Sequence, residues 1–470
     1  MNGPAPDLRA LAREGHVHFM GAGGAGMCAL AELLLRRGGR VSGCDVKRSR
    51  SLDDLEALGA RILVGHDAAH VLSASALVVT SAVPADHPEL EAAHDRGIPV
   101  LKRAAALGAL VNPGTVVAVA GTHGKTTTTA LATEMLAAAD MDPTGFVGGR
   151  VAGWGGNLRL GGSELFVVEA DEYDRSFHTL TPDVAVVTNL EADHLDIYGS
   201  LEGVCEGFRI FLDGVREGGR IVACADDGGA AALLPAAGAR GYSYGLSAGS
   251  MLRAVDVTEG PDGTRCGIVE EGRAVARLHM PLGGLHNLRN ALGAAAAARH
   301  LGASWDAISE AVATFGGVGR RFQRLGTVDG VTVVDDYAHH PTEIEATLQA
   351  ARAAFPGRRL VVAFQPHLYT RTRDFAREFG QAVAAADVVW ITGVFPAREQ
   401  PIDGVDGALV AEHARDAGGA EVRYHAEVQD LAEPLAAALV DGDVLFTLGA
   451  GSVEHVGPRV LQHLEARVHA

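Results

Sequence analysis

The stretch Thr115-Val116-Val117-Ala118-Val119-Ala120-Gly121-Thr122-His123-Gly124-Lys125-Thr126-Thr127 decides the class of fold. Residues 115–120 are a short apolar run rich in β-branched side chains, the composition of a buried strand. Glycines and a Lys-Thr pair follow, and then a helical pattern begins. In that order the three elements offer backbone N–H groups to phosphate, a lysine to the β/γ oxygens and the Thr126 hydroxyl to Mg²⁺. Five positions before Gly124 stands Val119, where the full Walker pattern has glycine. A plain turn with a helix cap is the alternative, and it leaves the order of strand, loop, Lys-Thr and helix unexplained.

Upstream, apolar runs at 17–20, 40–44, 76–80 and 98–101 alternate with helical patterns such as 27–37, which stops at Gly38-Gly39. Such alternation implies parallel strands joined by crossover helices. Asn112-Pro113-Gly114 is a turn signal suited to a boundary. Downstream come strands at 165–169 and 184–188, short glycine-punctuated strands from about 240 to 280, and helices at 287–300 and 305–313. Gly316-Gly317-Val318-Gly319 interrupts the pattern. The last third resumes it, with strands at 331–335, 360–364, 388–392 and 444–448 and helices at 342–354, 373–385 and 453–465. With 470 residues at roughly 150 per domain, the expectation is three α/β domains. They are a Rossmann-like domain over 1–111, a P-loop ATPase-like domain over 112–318 and a second Rossmann-like domain over 319–470.

Forty basic against 58 acidic residues give a net charge of −18, and the basic residues form no long run, so a nucleic-acid footprint is not expected. No apolar stretch approaches the roughly 20 residues that span a bilayer, and no secretory leader pattern opens the chain. Cys28, Cys44, Cys205, Cys224 and Cys266 are sparse, odd in number and widely spaced, which argues against a disulfide framework or a zinc module and for a reducing, cytoplasmic setting. Lysine occurs only at 47, 102 and 125.

Three further groups carry chemistry. Gly21-Ala22-Gly23-Gly24-Ala25-Gly26 follows a strand and opens a helix, with Asp45 at the end of the next strand. Such a loop lets a diphosphate approach the helix N-terminus, as in a dinucleotide site, so a NAD-dependent dehydrogenase stands as one reading. Glycines that merely permit tight strand–helix packing are the alternative. Glu169-Ala170-Asp171-Glu172 and Asn189-Leu190-Glu191-Ala192-Asp193-His194-Leu195-Asp196 both end apolar strands, and strand ends of a parallel sheet share one crevice, here with the phosphate loop. Hard oxygen ligands there suit Mg²⁺, against the alternative of a solvated acidic rim. In the last third, Gly319-Arg320-Arg321-Phe322, Asp335-Asp336-Tyr337-Ala338-His339-His340-Pro341 and Gln365-Pro366-His367-Leu368-Tyr369-Thr370-Arg371 put Arg, Asp and His on loops after strands, a density that suggests a site rather than capped surface turns.

The loop 121–126, Glu169 to Glu172, 189–196, His286-Asn287-Leu288-Arg289-Asn290-Ala291 and Gly319-Arg320 together resemble the ATP-dependent Mur ligases of peptidoglycan synthesis, in order and across nearly the whole chain. Within that family, 21–27, 336–341, 365–367 and Pro396-Ala397-Arg398-Glu399 look like the member that adds the first amino acid. The resemblance implies an ADP-forming ligase that joins L-alanine to the lactyl carboxylate of UDP-N-acetylmuramate through an acyl phosphate, in cell wall biogenesis and so in cell shape and division. A family member that recycles muropeptides onto the same UDP-sugar is the runner-up, and hydride chemistry becomes remote.

By the same resemblance, Gly21, Gly23, Gly24, Ala25, Gly26, Met27, Asp45, His66, Ser81 and Arg103 would bind the UDP-sugar. Gly121, Thr122, His123, Gly124, Lys125, Thr126, Thr127, Asn290, Arg320 and Asp336 would bind ATP, with Asn290 toward adenine and Asp336 toward ribose. Thr126, Glu169 and His194 would hold Mg²⁺, with Mn²⁺ as a substitute. Tyr337, His339 and Arg371 would receive the amino acid, and Lys125, His194, Arg320, His339 and His367 would carry the catalysis. His339 and His367 both stand as candidate bases for the amine. Several relatives have Arg where this chain has Leu368, so that position is no carboxylate clamp here. Ligases that add later residues carry a carbamylated lysine on the helix after the Asp-His-Leu-Asp segment; here 201–212 has none, and Phe208 stands near that place. Glycine and L-serine differ from L-alanine by too little for these residues to settle the choice, and nothing in the sequence signals an oligomeric state.

Overall fold

The computed structural model describes residues 6–80, 83–397 and 399–469. The fold is α/β with three domains, each built on a parallel-rich sheet. The chain divides into two compact units. One runs to Val255 and includes 268–276 and 289–312; the other comprises 256–267, 277–288 and 313–470. Among the described residues no helix is long and apolar enough to cross a membrane.

The first unit begins with a five-stranded sheet in the order Arg61–Val64, Val41–Asp45, Val17–Met20, Ala76–Val79, Val100–Lys102, every neighbouring pair parallel. The strands Val17–Met20 and Ala76–Val79 are wholly buried, as their uninterrupted apolar runs require. Strand order reverses beside Val17–Met20, and the glycine loop leaves the carboxyl end of that strand, where parallel sheets open their crevice. The helix Ala25–Arg36 follows and buries Met27, Leu30, Leu33 and Leu34 at helical spacing.

The second sheet of this unit carries Thr115–Ala120 at its centre, parallel to Leu165–Glu169 on one side and to Val184–Val187 on the other. Arg220–Cys224 and Gly241–Gly245 continue it in parallel. The strands between 240 and 280 are not all short: Leu252–Gly260, Gly263–Glu270 and Arg273–Met280 have nine, eight and eight residues. Their alternation of buried and exposed side chains sustains a strand of that length where glycine punctuation suggested breaks.

In the second unit a six-stranded sheet holds Gln323–Val328, Val331–Asp336, Val444–Leu448, Leu360–Phe364, Val388–Ile391 and Glu421–Tyr424 in that order, with only the first pair antiparallel. Successive strand residues feed opposite cores. Val334 and Val362 pack with Ile344, Leu348 and Phe379; Val333 and Val361 pack with Leu435, Val460 and Leu464. Helices therefore cover both faces, and the strand-end loops remain for chemistry. The helix expected from 373 begins four residues earlier, at Tyr369, because the Leu368 carbonyl already accepts from both the N–H and the hydroxyl of Thr372.

Candidate active site

In the first unit the phosphate loop is fixed by the two strand ends that flank it. Gly121 has φ 140°, and a Cβ there would lie 2.0 Å from Thr188 Oγ1; Gly124 has φ 80°, and a Cβ there would meet Asn290 Oδ1 at 2.3 Å. Only glycine fits both positions. Thr122 N–H donates to the Asn189 carbonyl at 3.1 Å, and His123 N–H to Asn189 Oδ1 at 2.8 Å. Thr188 Oγ1 returns a hydrogen bond to the His123 carbonyl at 2.6 Å. The helix Lys125–Ala138 starts at Gly124 with no side-chain cap, so its first N–H groups and its dipole suit an anion.

Lys125 Nζ donates to the Gly121 and Thr122 carbonyls at 2.6 and 3.1 Å and to Glu172 Oε1 at 2.9 Å. Burial acts to lower the Lys125 pKa, but Glu172, Asp171 and Glu169 outweigh it and hold the ammonium above its ordinary value. Lys125 is therefore a fixed positive charge on the loop. Glu172 is the residue the sequence did not single out from its cluster: of Glu169, Asp171 and Glu172, the one three residues past the strand end is the one Lys125 donates to.

Glu169 pairs with Val119 across the sheet and accepts Gly148 N–H at 2.7 Å. His194 has φ 52°, and its Nε2 lies 3.6 Å from Glu172 Oε1. Thr126 is 7% exposed in the first turn of the helix. A hydroxyl, a carboxylate and one imidazole around a phosphate loop are a donor set that fits Mg²⁺, an oxygen-seeking ion that keeps waters and substrate phosphates as ligands. Asn290, expected toward adenine, has its carboxamide against Gly124 of the loop.

The glycine loop of the first sheet is built for close approach. Gly23 N–H donates to Asp45 Oδ2 at 2.9 Å, and a Cβ on Gly26 would meet the Arg103 side chain at 3.0 Å. Arg103 also reaches Asp171 Oδ2 at 3.5 Å. The helix Ala25–Arg36 has Gly24 as an uncapped N-cap, with Gly24 and Ala25 exposed beside the half-buried Gly21. Met27 is expected among the sugar-binding residues. Its side chain is 1% exposed and faces the core, so only its backbone remains for a ligand. His66 lies 3.2 Å from Glu89 Oε1 and packs edge-on against His87. Ser81 lies outside the described residues.

In the second unit Arg320, at φ 58°, donates from Nε to Asp335 Oδ2 at 2.9 Å and from its terminal nitrogens to the Gly449 carbonyl at 2.6 Å, with Glu454 at 3.0 Å. Its guanidinium sits 5.0 Å over the Tyr337 ring. Asp336 is 5% exposed and accepts N–H groups of Phe322 and Ala338 at 2.6 and 2.8 Å. Burial, only partly offset by Arg321 and those N–H groups, pushes its pKa up to about 6. His339 stands between the rings of Tyr337 and His367, at 5.1 and 5.6 Å, with Nδ1 against the Tyr337 carbonyl at 2.9 Å. His367 stacks on Phe395 at 5.7 Å, and Arg371 is 8% exposed in the first turn of its helix. Leu368 has φ 66°, strained for leucine, and its N–H is tied to the Phe395 carbonyl at 2.9 Å. The two candidate bases are thus neighbours, and Phe395 and Glu454, which sequence spacing did not mark, join Asp335 in holding the groups it did.

Profiles of the Mur ligase family match in chain order: the catalytic domain over 16–114, the middle domain over 119–298 and the glutamate ligase domain over 320–451. The UDP-N-acetylmuramate–L-alanine ligases of Burkholderia ambifaria and of a Geobacter species are each 44% identical to this chain, over 96% of it and 98% of their own length. The chain belongs to the Mur ligase family. Among solved structures, the UDP-N-acetylmuramate–alanine ligase of Thermotoga maritima superposes with a TM-score of 0.80 at 27% identity, covering 96% of this chain and 99% of its own. A murein peptide ligase from Psychrobacter arcticus superposes with a TM-score of 0.68 at 25% identity, covering 95% and 98%. The Mur ligase order of domains accordingly runs from the sheet with the Gly21 loop, through the one with Lys125, to the one with Arg320.

Proposed function

We propose that this Mur ligase couples ATP hydrolysis to joining L-alanine to UDP-N-acetylmuramate. The observation that carries the reading is the phosphate loop: a lysine held charged by Glu172 at the mouth of a helix N-terminus, in a chain 44% identical over 96% of its length to ligases of that name. The Gly21 loop with Asp45, His66, Ser81 and Arg103 serves the diphosphate and sugar, and the working domain limits are 1–111, 112–318 and 319–470. The reaction is assigned to the cytoplasm.

A carboxylate cannot be attacked directly, because oxide would have to leave. Its oxygen therefore attacks the γ-phosphorus of ATP, ADP departs, and an acyl phosphate carries the activated carbonyl. The amine of L-alanine then displaces phosphate. Lys125 and Arg320 are fixed cations for charge on the transferred phosphoryl group, an electrostatic role that needs no rearrangement during reaction. Thr126, Glu169 and His194 would hold Mg²⁺, which when bound neutralises phosphate charge. The amine must lose a proton to attack. His339, with Nδ1 turned to the Tyr337 carbonyl, is placed to accept it, with His367 beside it. Arg371 offers the amino-acid carboxylate its guanidinium.

A substrate panel tests the reading. With UDP-N-acetylmuramate and ATP present, L-alanine should give ADP, phosphate and product, while the tripeptide accepted by a muropeptide-recycling ligase should not. Turnover of the tripeptide in preference to L-alanine would transfer the chain to that other activity, and NAD binding without UDP-sugar binding would reverse the assignment of the Gly21 loop.

A further inference from the structure

Beneath the glycine loop of the first sheet, four side chains from four elements converge. His18 comes from the strand Val17–Met20, Cys44 from Val41–Asp45, His70 from the turn Ala68–His70, and Glu89 from the first turn of the helix Pro88–Asp95. One donor atom from each of the four residues, a ring nitrogen of each histidine, Cys44 Sγ and a Glu89 oxygen, lies within 4.8 Å of the others. The sides of His18 and Glu89 are fully buried. We infer that these four residues form a binding site for one divalent ion of the zinc class.

The spacing supports coordination rather than a chance polar cluster. With about 2.0 Å to nitrogen or oxygen and about 2.3 Å to sulfur, tetrahedral zinc sets its ligand atoms about 3.3–3.6 Å apart. Here His18 Nε2 is 3.4 Å from Cys44 Sγ and 3.8 Å from Glu89 Oε2, and Cys44 Sγ is 3.4 Å from the same oxygen, while His70 Nδ1 lies 3.3 Å from the other carboxylate oxygen, Oε1. His70 Nδ1 is nevertheless buried without a hydrogen bond, so it approaches the carboxylate in an orientation that hydrogen bonding does not use.

The surroundings orient the donors. His18 Nδ1 lies 2.8 Å from Ser42 Oγ; when that nitrogen carries the proton, Nε2 presents its lone pair to the cluster. Asp67 N–H fixes Glu89 Oε1 at 3.0 Å. Among the described residues the ion pairs of Glu89 are all with histidines. An ion of charge +2 with one carboxylate and one thiolate leaves no net charge, which suits a largely buried site.

A thiolate, two imidazoles and one carboxylate favour Zn²⁺ over Mg²⁺, which seeks oxygen. Four protein ligands close the coordination sphere, as in structural sites. Binding breaks the Cys44 S–H bond, forms the sulfur–metal bond and releases one proton to solvent. The Cys44 carbonyl accepts the N–H groups of Gly21 and Ala22 at 2.8 and 3.0 Å, so an ion on Cys44 would stiffen the base of the glycine loop.

The test uses the full-length protein, stripped with a chelator and titrated with Co²⁺. One equivalent should produce a thiolate-to-cobalt charge-transfer band and the visible bands of tetrahedral cobalt, and Zn²⁺ should displace it. Cys44→Ser should lose the charge-transfer band, while Cys28→Ser keeps it. Because Cys44→Ser could fold poorly, X-ray absorption of the zinc-loaded wild type gives an independent reading, with one sulfur at about 2.3 Å and nitrogen or oxygen at about 2.0 Å. Oxygen-only ligation, a band that survives Cys44→Ser, or failure to retain Zn²⁺ after desalting would each overturn the proposal.

Discussion

Lys125 and Glu172 form an ion pair at 2.9 Å across 47 positions of sequence, with 14% and 4% of their side chains exposed. The lysine belongs to the glycine loop after Thr115–Ala120, and the glutamate lies just past the end of the neighbouring strand Leu165–Glu169. Each determines the other's charge, because burial penalises either ion alone.

Lys125→Ala should lower the ligation rate at least about 10²–10³-fold, the loss typical of removing one preorganised donor. UDP-N-acetylmuramate affinity, read by calorimetry, should change little, because the Gly21 loop lies on another sheet. Glu172→Gln should cost about 3–5 kcal/mol of folding stability, since it leaves a buried ammonium without its partner. A double-mutant cycle with Lys125→Met, measured by denaturant unfolding, should show less than additive loss. Additive losses would mean that the pair is not coupled.

An isotope follows the acyl phosphate. With ¹⁸O in the lactyl carboxylate of UDP-N-acetylmuramate, one labelled oxygen should appear in inorganic phosphate, because that oxygen attacks phosphorus and leaves with it. Unlabelled phosphate, by mass spectrometry, would point to adenylation or uncoupled hydrolysis.

Activity should be indifferent to bicarbonate. The helix Leu201–Asp213 contains no lysine, and Phe208 is fully buried with its ring 5.3 Å from Phe177. A carbamate has neither the amine nor the space there. Enzyme degassed at mildly acidic pH and assayed without carbon dioxide should keep its rate; rescue by added bicarbonate would contradict this.

Asp336 should leave a mark on stability against pH. Burial raises its pKa to about 6 from near 4, so between those values the folded state holds more protons than the unfolded one. Stability from this group is therefore greatest below about pH 4 and falls as pH rises through 6, by about 2–3 kcal/mol in all. Asp336→Asn, which cannot ionise, should flatten that part of the profile in denaturant titrations at several pH values. An unchanged difference between the two proteins from pH 4 to 7 would show that Asp336 does not titrate in this window.

Much of this molecule was legible in its sequence because the signals are local. Buried parallel strands read as unbroken apolar runs, and Gly21 to Gly26 and Gly121 to Lys125 announce loops at helix starts, since the chemistry of such a loop lies within a few residues. What sequence could not settle lies across the crossovers. Parallel neighbours are separated by a whole helix of variable length, so sequence distance carries no record of which strand ends meet. That Glu172, and not Glu169 or Asp171, pairs with Lys125 was decided by the register of Leu165–Glu169 beside Thr115–Ala120. Cys44, read from spacing as evidence against a zinc module, meets His18, His70 and Glu89 only because two neighbouring parallel strands bring His18 and Cys44 against the turn Ala68–His70 and the start of the helix Pro88–Asp95. Local bonding chooses the elements, while burial of their faces decides which side chains share a site.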